Sequence, residues 1–383
     1  MPPTAFFEPD CAPISRPPRL LHIFPSFDIG GSQVRFATLV KRLGHLFDHT
    51  IVSLDGGWSA ATLLPGDAPV TALSVSPGGR GLASRLLRIR NMLESIAPDA
   101  LLTYNWGAIE WALANGGRLP HLHHEDGFGP EESARQFQRR IWTRRLALRH
   151  SSVAVPSRVL SDIATGSWGI AARKVHHIPN GIIPCDRGGI PIEKLGLEFP
   201  RDLCRIVWTG ALRREKNPLR LLRAFAPLAG KAVLILVGDG PEQDAVMREA
   251  ERLGVLSHLR LLGRRSDARS IVMQSDVLAL SSDTEQMPFA VLEAMDAGLP
   301  VASLDVGDVR EMVSDENRPF IVPRRDEALS QALAALVADP GLRAGIGSAN
   351  RKRVRSVYRA SDMAARYQLL IDATLAARRQ LSA

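Results

Sequence analysis

Residues 232–241 read AVLILVGDGP, and this stretch decides the fold class. Six consecutive apolar residues are typical of a strand that is covered on both faces of a parallel sheet. The glycines that follow suit a tight turn, and Pro241 suits the start of a helix. The stretch therefore predicts a strand, a turn and a helix, the unit from which α/β folds are built.

The same alternation extends in both directions along the chain. Short apolar runs stand beside helical patterns, which indicates βαβ units and a parallel sheet. The strand candidates are residues 20–24, 50–54, 100–103, 206–209, 232–237, 277–280 and 301–304. The chain has 383 residues, which is more than one typical domain, so we expect two such units.

A domain boundary is predicted within residues 184–202. This stretch, PCDRGGIPIEKLGLEFPRD, is rich in Pro, Gly and charge and lacks a clear period. It divides the chain into a first domain at residues 1–190 and a second at residues 191–360. A last helical pattern, with apolar spacing, covers residues 362–378.

Composition excludes several classes of protein. Hydrophobic residues make up 45% and charged residues 23% of the chain, as in an average globular protein. No apolar run reaches the roughly 18 to 20 residues of a membrane span. Residues 1–18 resemble a loose leader and not a secretory signal, so we expect a cytoplasmic protein. Cys11, Cys185 and Cys204 show neither zinc spacing nor a disulfide framework, and we expect no metal site.

Two glycine-containing segments follow predicted strands. Gly30 and Gly31 precede a helix, where they either allow a phosphate to approach the backbone or simply make a tight turn. GALRREKN (210–217) places Arg213, Arg214 and Lys216 beside a strand end. These cations can hold a diphosphate there, or they form a solvated turn. The VGDGP turn (237–241) is interpreted as mainly structural.

The richest segment is DTEQMPFAVLEAMDAGLPVA (283–302). Glu285 would lie in the loop before a helix, with Pro288 in the first helical turn and Glu293 about one and a half turns inside. A loop carboxylate there can accept hydrogen bonds from sugar hydroxyls, and a deeper one can bind a ribose diol. The helix N-terminus can also meet phosphate. The alternative is an ordinary helix with acidic residues near its N-terminus.

A histidine cluster, PHLHHEDGF (120–128), lies in the first half. Strand alternation places His121 and His123 on one face and His124 on the other. A polar site at a strand end is favoured over a metal site, since no further His or Cys pair stands at ligand spacing. Surface histidines are the other interpretation.

The basic stretch at residues 134–150 holds six arginines and no acid. Phe137, Ile141 and Leu148 share one helical face, and Trp142 and Leu146 form a second apolar strip. Such a helix can lie on an anionic membrane surface, or it packs on the core with solvated basic flanks. The net charge of +8 also fits an anionic substrate, but no nucleic-acid module accompanies it, so we expect no nucleic acid.

Together these motifs resemble glycosyltransferase family 4, whose two Rossmann-like domains form the GT-B architecture. The resemblance runs from about residue 20 to the C-terminus, and the ordered series is more specific than any member. The matching stretches are, in order, GGSQ (30–33), IPNGI (178–182), GALRREKN (210–217), VGDGP (237–241) and SDTEQMPFAVLEAMDAGLPVA (282–302).

The resemblance implies an α/β fold of two Rossmann-like parallel-sheet domains that face each other across a cleft, with the helix at 361–383 packing back on the first. It also implies a metal-independent, retaining hexosyltransferase that uses a nucleotide-sugar and a saccharide or lipid-linked acceptor. The setting it suggests is surface polysaccharide or glycolipid assembly, on the inner membrane face.

The resemblance also assigns roles to residues. Glu285 would bind sugar hydroxyls, Glu293 the ribose and Lys216 the diphosphate. The backbone of Met287, Pro288, Phe289 and Ala290 would help to hold sugar and phosphate. His123 best matches the family's histidine near the reacting sugar, with Asp126 as a rival contact.

Two positions depart from the family pattern. Ala211 stands where the family commonly has an arginine, and Gln286 where it usually has a glycine. Arg213 or Arg214 would have to supply the missing phosphate cation. The alternative functions are a non-catalytic nucleotide-sugar-binding protein and a nucleotide-sugar epimerase with a similar fold.

Overall fold

Two parallel β-sheets organise the chain, with helices between their strands. The computed structural model describes residues 16–75, 78–132, 136–185, 190, 192–195 and 202–381. Most of the predicted leader and much of the predicted boundary segment lie outside the described residues, as do residues 134 and 135 of the basic stretch.

The first sheet contains all the strands described before residue 180. They are β1 (Arg19–Phe24), β2 (Asp48–Ser53), β3 (Val70–Ala72), β4 (Ala100–Tyr104), β5 (His121–His124), β6 (Ser152–Val155) and β7 (Val175–His177). The helices between them are α1 (Gly31–Leu43), α2 (Leu82–Ile96), α3 (Ile109–Asn115), α4 (Gln138–Ala147) and α5 (Arg158–Thr165). The strands pair in the order β3-β2-β1-β4-β5-β6-β7, and every pairing is parallel.

The second sheet is built in the same way. Its strands are β8 (Cys204–Thr209), β9 (Ala232–Val237), β10 (Leu259–Leu261), β11 (Val277–Leu280), β12 (Val301–Leu304) and β13 (Ile321–Val322). Its helices are α6 (Pro218–Phe225), α7 (Gln243–Arg252), α8 (Ala268–Met273), α9 (Phe289–Ala297), α10 (Val309–Met312), α11 (Asp326–Ala338) and α12 (Pro340–Val357). The order is β10-β9-β8-β11-β12-β13, again all parallel.

The predicted strands are confirmed, and their burial explains them. All six residues of β9 are buried, as expected of a strand covered on both faces by helices. The bounds of β11 and β12 match the prediction, and the other predicted strands differ by at most two residues at an end. The sequence did not single out β3, β6, β7, β10 and β13, and four of these strands have only two or three residues, too few for an apolar pattern.

The C-terminal helix, α13 (Ala360–Leu381), packs against the first sheet although it follows the second in the chain. Met363, Tyr367 and Leu370 are buried in one cluster with Phe24 and Leu102 of the first sheet. The apolar spacing in residues 362–378 is therefore the side of a helix that completes the core of the first domain.

The sheet orders determine where a ligand can bind. The chain order reverses between β1 and β4 in the first sheet and between β8 and β11 in the second. Loops at the carboxyl ends of two strands diverge at such a reversal and leave a crevice, where α/β proteins bind ligands.

Two further structural findings bear on function. None of the helices in the described ranges is both long enough and apolar enough to cross a membrane. Within those same ranges, no three His, Cys, Asp or Glu residues are grouped so that they could hold a metal ion.

Candidate active site

The two loops at the reversal point of the second sheet meet through a short ion pair. Lys216 lies after β8 and Glu285 after β11, and Lys216 Nζ is 2.6 Å from Glu285 Oε1. Ser282 Oγ donates to the same carboxylate oxygen at 2.7 Å. The structure thus brings together two residues that the sequence assigned to the diphosphate and the sugar, 69 positions apart in the chain.

The turn after β9 supports the Lys216 loop by close backbone contact. A Cβ on Gly238 would lie 1.7 Å from the Gly210 carbonyl oxygen, and one on Gly240 would lie 2.5 Å from that of Leu212. Both glycines also have φ near +150°, where other residues are strained. VGDGP is therefore structural, as interpreted from the sequence: it lets the loop of residues 210–217 pack tightly.

The other cations of that loop remain exposed. Arg213 and Arg214 precede Lys216, and neither has an acidic partner within the described residues. Ala211 is partly buried beside them. The loop therefore presents two unpaired guanidinium groups next to the position where the family has its arginine.

Helix α9 begins in the loop that carries Glu285. Pro288 is the residue before the helix and not inside its first turn as predicted, with an extended backbone at φ −70° and ψ 129°. Pro288 has no N–H to donate. Of the four residues whose backbone the resemblance assigns to sugar and phosphate, only Met287, Phe289 and Ala290 can therefore donate a hydrogen bond. Phe289 and Ala290 open the helix, and their N–H groups have no acceptor inside it.

The N-terminus of α1 lies close to this helix start, across the two domains. A Cβ at Gly31 would stand 3.8 Å from the Phe289 ring. Gly30 is the capping residue of α1, and no side chain caps the helix and no acid lies in its first turn. Two helix N-termini with free N–H groups therefore approach each other, an arrangement that favours an anion between them.

Glu293 lies inside α9, below the loop that carries Glu285. Its carboxylate has no hydrogen-bond or ion-pair partner among the described residues, and Arg269, the nearest cation to affect it, is paired with Asp296 at 2.8 Å. Burial raises the pKa of Glu293 to about 6, although Arg269 opposes the shift. Glu293 keeps part of its surface exposed, and a partly buried carboxylate without a partner is typical of a group that binds a ligand.

The histidine cluster is in the core and not on the surface of the cleft. His121 Nε2 and His123 Nδ1 both bond Thr103 Oγ1 at 2.8 Å, so the predicted shared face is confirmed. His123 is 0% exposed, and its Nε2 lies 3.8 Å from Glu125 Oε2. His124 stacks between Tyr104 and Tyr367 on the other face. Burial also lowers the pKa of His121 to about 3 and that of His124 well below its usual range.

His123 is therefore closed off from solvent in this arrangement, whereas its rival Asp126 lies at the domain junction. Asp126 follows the end of β5, and its side chain keeps 17% of its surface exposed. Gly127, the next residue, is close enough to the second domain that a Cβ on it would lie 3.2 Å from Gln286 Cγ. His123 and Asp126 differ in this way because β5 ends at His124. Asp126 lies beyond the strand and faces the second domain.

Asp126 is held by a buried arginine that the sequence analysis missed. Both terminal guanidinium nitrogens of Arg35, in α1, donate to the Asp126 carboxylate, and Nη2 lies 2.7 Å from Asp126 Oδ2. Burial opposes the charged form of Arg35, but the Asp126 carboxylate outweighs it and raises the pKa of Arg35. Arg35 Nη1 also donates to Asn180 Oδ1 at 3.2 Å.

Asn180 carries this contact into the second domain. Its Nδ2 donates to the Met287 carbonyl oxygen at 2.8 Å, in the loop between Glu285 and α9. Gln286, in the same loop, accepts from Ser157 Oγ at 2.8 Å. The Asp308 carboxylate accepts from the N–H of Arg158 at 2.7 Å and so caps α5 from the other domain. The first two of these hydrogen bonds position the Glu285 loop against the first domain, and the third joins the domains at Asp308.

Some of these residues left a signal in the sequence. Asn180 stands in the IPNGI segment, where it was treated only as the end of the first domain. Gln286 was noted as a departure from glycine, and the structure shows a contact that glycine could not make. Arg35 gave no signal, because one arginine in a helix with exposed cations cannot be recognised as buried from its neighbours.

Two family models match the chain in succession. A glycosyl transferase 4-like domain covers residues 30–181, and the domain described as glycosyl transferases group 1 covers residues 196–353. The chain thus consists largely of two glycosyl transferase domains, and the second belongs to the glycosyl transferases group 1. The second match contains Lys216, Glu285 and Glu293, and the first contains Arg35 and Asp126, so both sides of the described site lie inside family domains.

Relatives with known names match part of this glycosyl transferase chain. One is N-acetyl-alpha-D-glucosaminyl L-malate synthase of Bacillus anthracis, 25% identical over 41% of the chain and 42% of its own length. Another is the lipopolysaccharide core biosynthesis glycosyltransferase LpsE of Rhizobium meliloti, 30% identical over 40% of the chain and 45% of its own length. The chain thus spans less than half the length of these two relatives.

Solved structures match almost the whole chain. HepE of Anabaena, in complex with UDP-glucose, superposes with a TM-score of 0.80 at 20% identity, over 93% of this chain and 100% of that one. Sucrose-phosphate synthase of Thermosynechococcus elongatus gives 0.78 at 19% identity, over 94% and 100%. These similarities show the fold, and the predicted GT-B architecture of two parallel-sheet domains is confirmed.

The Arg35–Asp126 pair yields a stability prediction. Asp126→Asn removes the carboxylate and leaves a guanidinium that is 2% exposed without a counter-charge. Loss of one partner of a buried pair costs about 3–5 kcal/mol of unfolding free energy, which urea denaturation measures. The matched control is Glu110→Gln, which breaks the exposed Arg85–Glu110 pair (2.7 Å) and should cost no more than about 1 kcal/mol. Equal costs for the two variants would contradict the proposed importance of the buried charge.

Glu293 yields a pH prediction. A glutamate in an unfolded chain titrates near about 4.3, whereas burial raises the pKa of Glu293 to about 6 in the fold. Between these values the folded chain binds more protons, so this residue makes the unfolding free energy fall as pH rises through that window. The stability of Glu293→Gln relative to wild type should therefore increase from about pH 4.3 to about pH 6 and then stay level.

Urea denaturation of both proteins across that range measures the effect. Glu251→Gln, at an exposed position in α7, serves as the control and should show no such increase. A Glu293→Gln stability difference that is independent of pH would show that the pKa of Glu293 is the same in the folded and unfolded chain.

Proposed function

We propose that this chain is a glycosyltransferase that moves a sugar from a nucleotide-sugar donor to a saccharide or lipid-linked acceptor, with retention of the anomeric configuration. The single observation that supports this most is the Lys216–Glu285 contact of 2.6 Å at the reversal point of the second sheet. It places a cation suited to phosphate beside a carboxylate suited to sugar hydroxyls.

The donor would rearrange this pair. A diphosphate carries more negative charge than one carboxylate, so it competes for Lys216 Nζ and forms charge-assisted hydrogen bonds. Glu285 then has a free oxygen to accept hydrogen bonds from sugar hydroxyls. Without a donor, the two side chains therefore form an ion pair with each other. When the donor binds, Lys216 contacts the diphosphate and Glu285 contacts the sugar hydroxyls.

The surrounding groups fit the rest of the donor. N–H groups of Phe289 and Ala290, together with the N-terminus of α1 at Gly30 and Gly31, supply positive ends of two helix dipoles. The exposed guanidinium groups of Arg213 and Arg214 compensate for Ala211. The unpartnered carboxylate of Glu293 accepts the two hydroxyls of the ribose.

The transfer step follows from this placement. The bond between the anomeric carbon and the diphosphate oxygen breaks, and a bond to the acceptor oxygen forms on the same face of the sugar. The acceptor hydroxyl proton passes to the leaving diphosphate oxygen. We assign to Asp126, which is ion-paired with Arg35, the stabilisation of positive charge that develops on the sugar ring.

The biological setting is inferred from named relatives. One relative acts in lipopolysaccharide core biosynthesis, and another is a galactosyltransferase of Escherichia coli whose acceptor, by name, is a sugar on diphosphoundecaprenol, 30% identical over 43% of this chain. We propose that this chain works in surface polysaccharide or glycolipid assembly at the cytoplasmic face of a membrane, and that it needs no metal ion.

The first test is a thermal-shift screen with UDP, GDP, ADP and their sugar conjugates, repeated with EDTA. A ligand present at one hundred times its dissociation constant stabilises the fold by about 2.7 kcal/mol. We expect one nucleotide to raise Tm, with or without EDTA. Lys216→Ala and Glu293→Gln should each reduce that shift, whereas Glu251→Gln should not.

Product analysis with the identified donor then separates the functions. Transfer to an acceptor with a retained anomeric signal in NMR is the expected result. Conversion of the donor sugar without an acceptor would indicate an epimerase, and binding without turnover would indicate a nucleotide-sugar-binding protein. No Tm shift with any nucleotide in a folded sample would overturn the donor site itself.

We also propose a peripheral contact with an anionic membrane through the basic stretch, but on a narrower surface than the sequence indicates. Arg144 is fully buried and bonds Glu125 and Glu132, each at 3.3 Å. Arg140 pairs with Glu132 at 2.9 Å. These two cations are paired with acids that precede residue 134 and so lie outside the basic stretch.

The outer face of α4 remains suited to a membrane. Trp142 is 64% exposed and Leu146 55% exposed, one helical turn apart. Arg139, Arg145 and Arg149 are exposed around them. An apolar strip flanked by cations fits the boundary between headgroups and acyl chains of an anionic leaflet.

Vesicle co-sedimentation tests this face. The protein should bind vesicles with anionic phospholipid and bind phosphatidylcholine vesicles weakly. Trp142→Ser with Leu146→Ser should reduce binding, and so should Arg139→Gln with Arg149→Gln, while the nucleotide-induced Tm shift is retained. Absence of binding to anionic vesicles by wild type would refute the proposal.

A further inference from the structure

A cavity of about 210 Å³ lies in the first domain, away from the cleft between the domains. Its walls come from the C-terminal ends of α2 and α3 and from the loops that lead into β4 and β5. These loops enter the amino ends of the strands, whereas the site described above lies at carboxyl ends. The cavity is therefore at the opposite edge of the first sheet.

Two guanidinium groups converge on this cavity. Arg90 Nε donates to the Ala114 carbonyl oxygen at 3.1 Å. Arg118 Nη1 reaches the same oxygen at 3.5 Å and that of Asn115 at 3.4 Å. Because both side chains share one acceptor, their positive charges are close together, and most of their N–H groups are left over for another partner.

No acidic residue in the described part of the chain forms an ion pair with either arginine. Many other arginines of this protein have such a partner, among them Arg85, whose Nη2 lies 2.7 Å from Glu110 on the neighbouring helix. Glu94 lines the cavity but does not come within ion-pair distance of either guanidinium. Two like charges of this kind repel each other, and an anion between them would remove the repulsion.

The loop that carries Arg118 is fixed by its own hydrogen bonds. Asn115 is buried; its Nδ2 donates to the Leu119 carbonyl oxygen at 3.0 Å, and its Oδ1 accepts from the Leu119 N–H at 2.9 Å. The Arg118 N–H donates to the Asn115 carbonyl oxygen at 3.0 Å. The loop therefore does not have to become ordered when a ligand binds, and binding loses little conformational entropy.

The remainder of the wall is apolar. Leu93, Ala97, Pro98 and Leu119 line it, and Leu93 and Pro98 are themselves buried. Pockets of this kind, with an apolar body and a few fixed polar groups, bind small molecules that have the same two parts. A free phosphate would satisfy the guanidinium groups but would leave the apolar wall in contact with water.

We propose that this cavity binds a small amphipathic anion, with a carboxylate or phosphate head on Arg90 and Arg118 and a short hydrocarbon body on Leu93 and Leu119. The site is separate from the proposed transfer reaction and does not depend on it. A planar guanidinium suits both heads, because carboxylate and phosphate each offer two oxygens to its paired N–H groups.

Isothermal titration calorimetry at low salt tests the proposal with four probes: hexanoate, hexyl phosphate, hexanol and inorganic phosphate. We expect at least one of the two amphipathic anions to bind, and hexanol and inorganic phosphate to bind at least about tenfold more weakly, since each lacks one half of the recognition. The preferred head identifies the ligand as a carboxylate or a phosphate monoester.

Variants complete the test. Arg118→Glu reverses an exposed charge at the rim and should abolish binding, and Arg90→Gln should weaken it at least about tenfold. Arg88→Gln changes an exposed arginine of the same helix that does not line the cavity and should leave binding unchanged. The nucleotide-induced Tm shift should persist in all three. Failure of both amphipathic anions to bind wild type, or equal binding to Arg118→Glu, would overturn the proposal.

Discussion

The structure depends on one geometric constraint: every strand pairing described in either sheet is parallel. Parallel strands send all their carboxyl ends to the same edge, and a reversal of chain order separates two neighbouring loops there. The β8–β11 reversal puts Lys216 beside Glu285, although three helices and three strands lie between them in the chain. Residues that bind a ligand jointly can thus be far apart in sequence, since the sheet and not the local chain brings them together.

The contact between the domains is organised around the buried positive charge of Arg35, which needs hydrogen-bond and ion-pair partners. Arg35 is buried, and a buried guanidinium without partners would destabilise the fold by several kcal/mol. Its two partners are Asp126, which faces the junction, and Asn180, whose amide holds the Met287 carbonyl oxygen. The position of the Glu285 loop is therefore linked to the requirement that Arg35 be satisfied. A polar network of this kind specifies one arrangement of the loop, since each alternative leaves a buried donor unmatched.

The sequence predicted the sheets well because fully buried strands are continuous apolar runs, and their bounds need no knowledge of contacts. It also singled out Lys216 and Glu285, each beyond a strand end, and the structure brings these two side chains into contact. The roles of these residues and of Glu293 remain those that the family resemblance implies. The sequence was less informative about the orientation of single side chains. His123 and Asp126 are three positions apart, and only the end of β5 at His124 decides which faces the second domain. It missed Arg35 because burial of a charge is a property of its partners, which come from residues 126 and 180.

The basic composition shows more generally that the sequence does not reveal which charges have partners. A net charge of +8 predicts an anionic partner but not its place, since a charge counts equally whether it is paired or free. Arg144 and Arg140 contribute to that total, yet buried or partly buried acids neutralise them in place. The arginines without acidic partners within the described ranges include Arg213 and Arg214 at the cleft and Arg90 and Arg118 at the cavity. Unpaired cations thus stand at both places where the fold leaves room for a ligand, so the search for an anion site should consider unpaired cations and not total charge.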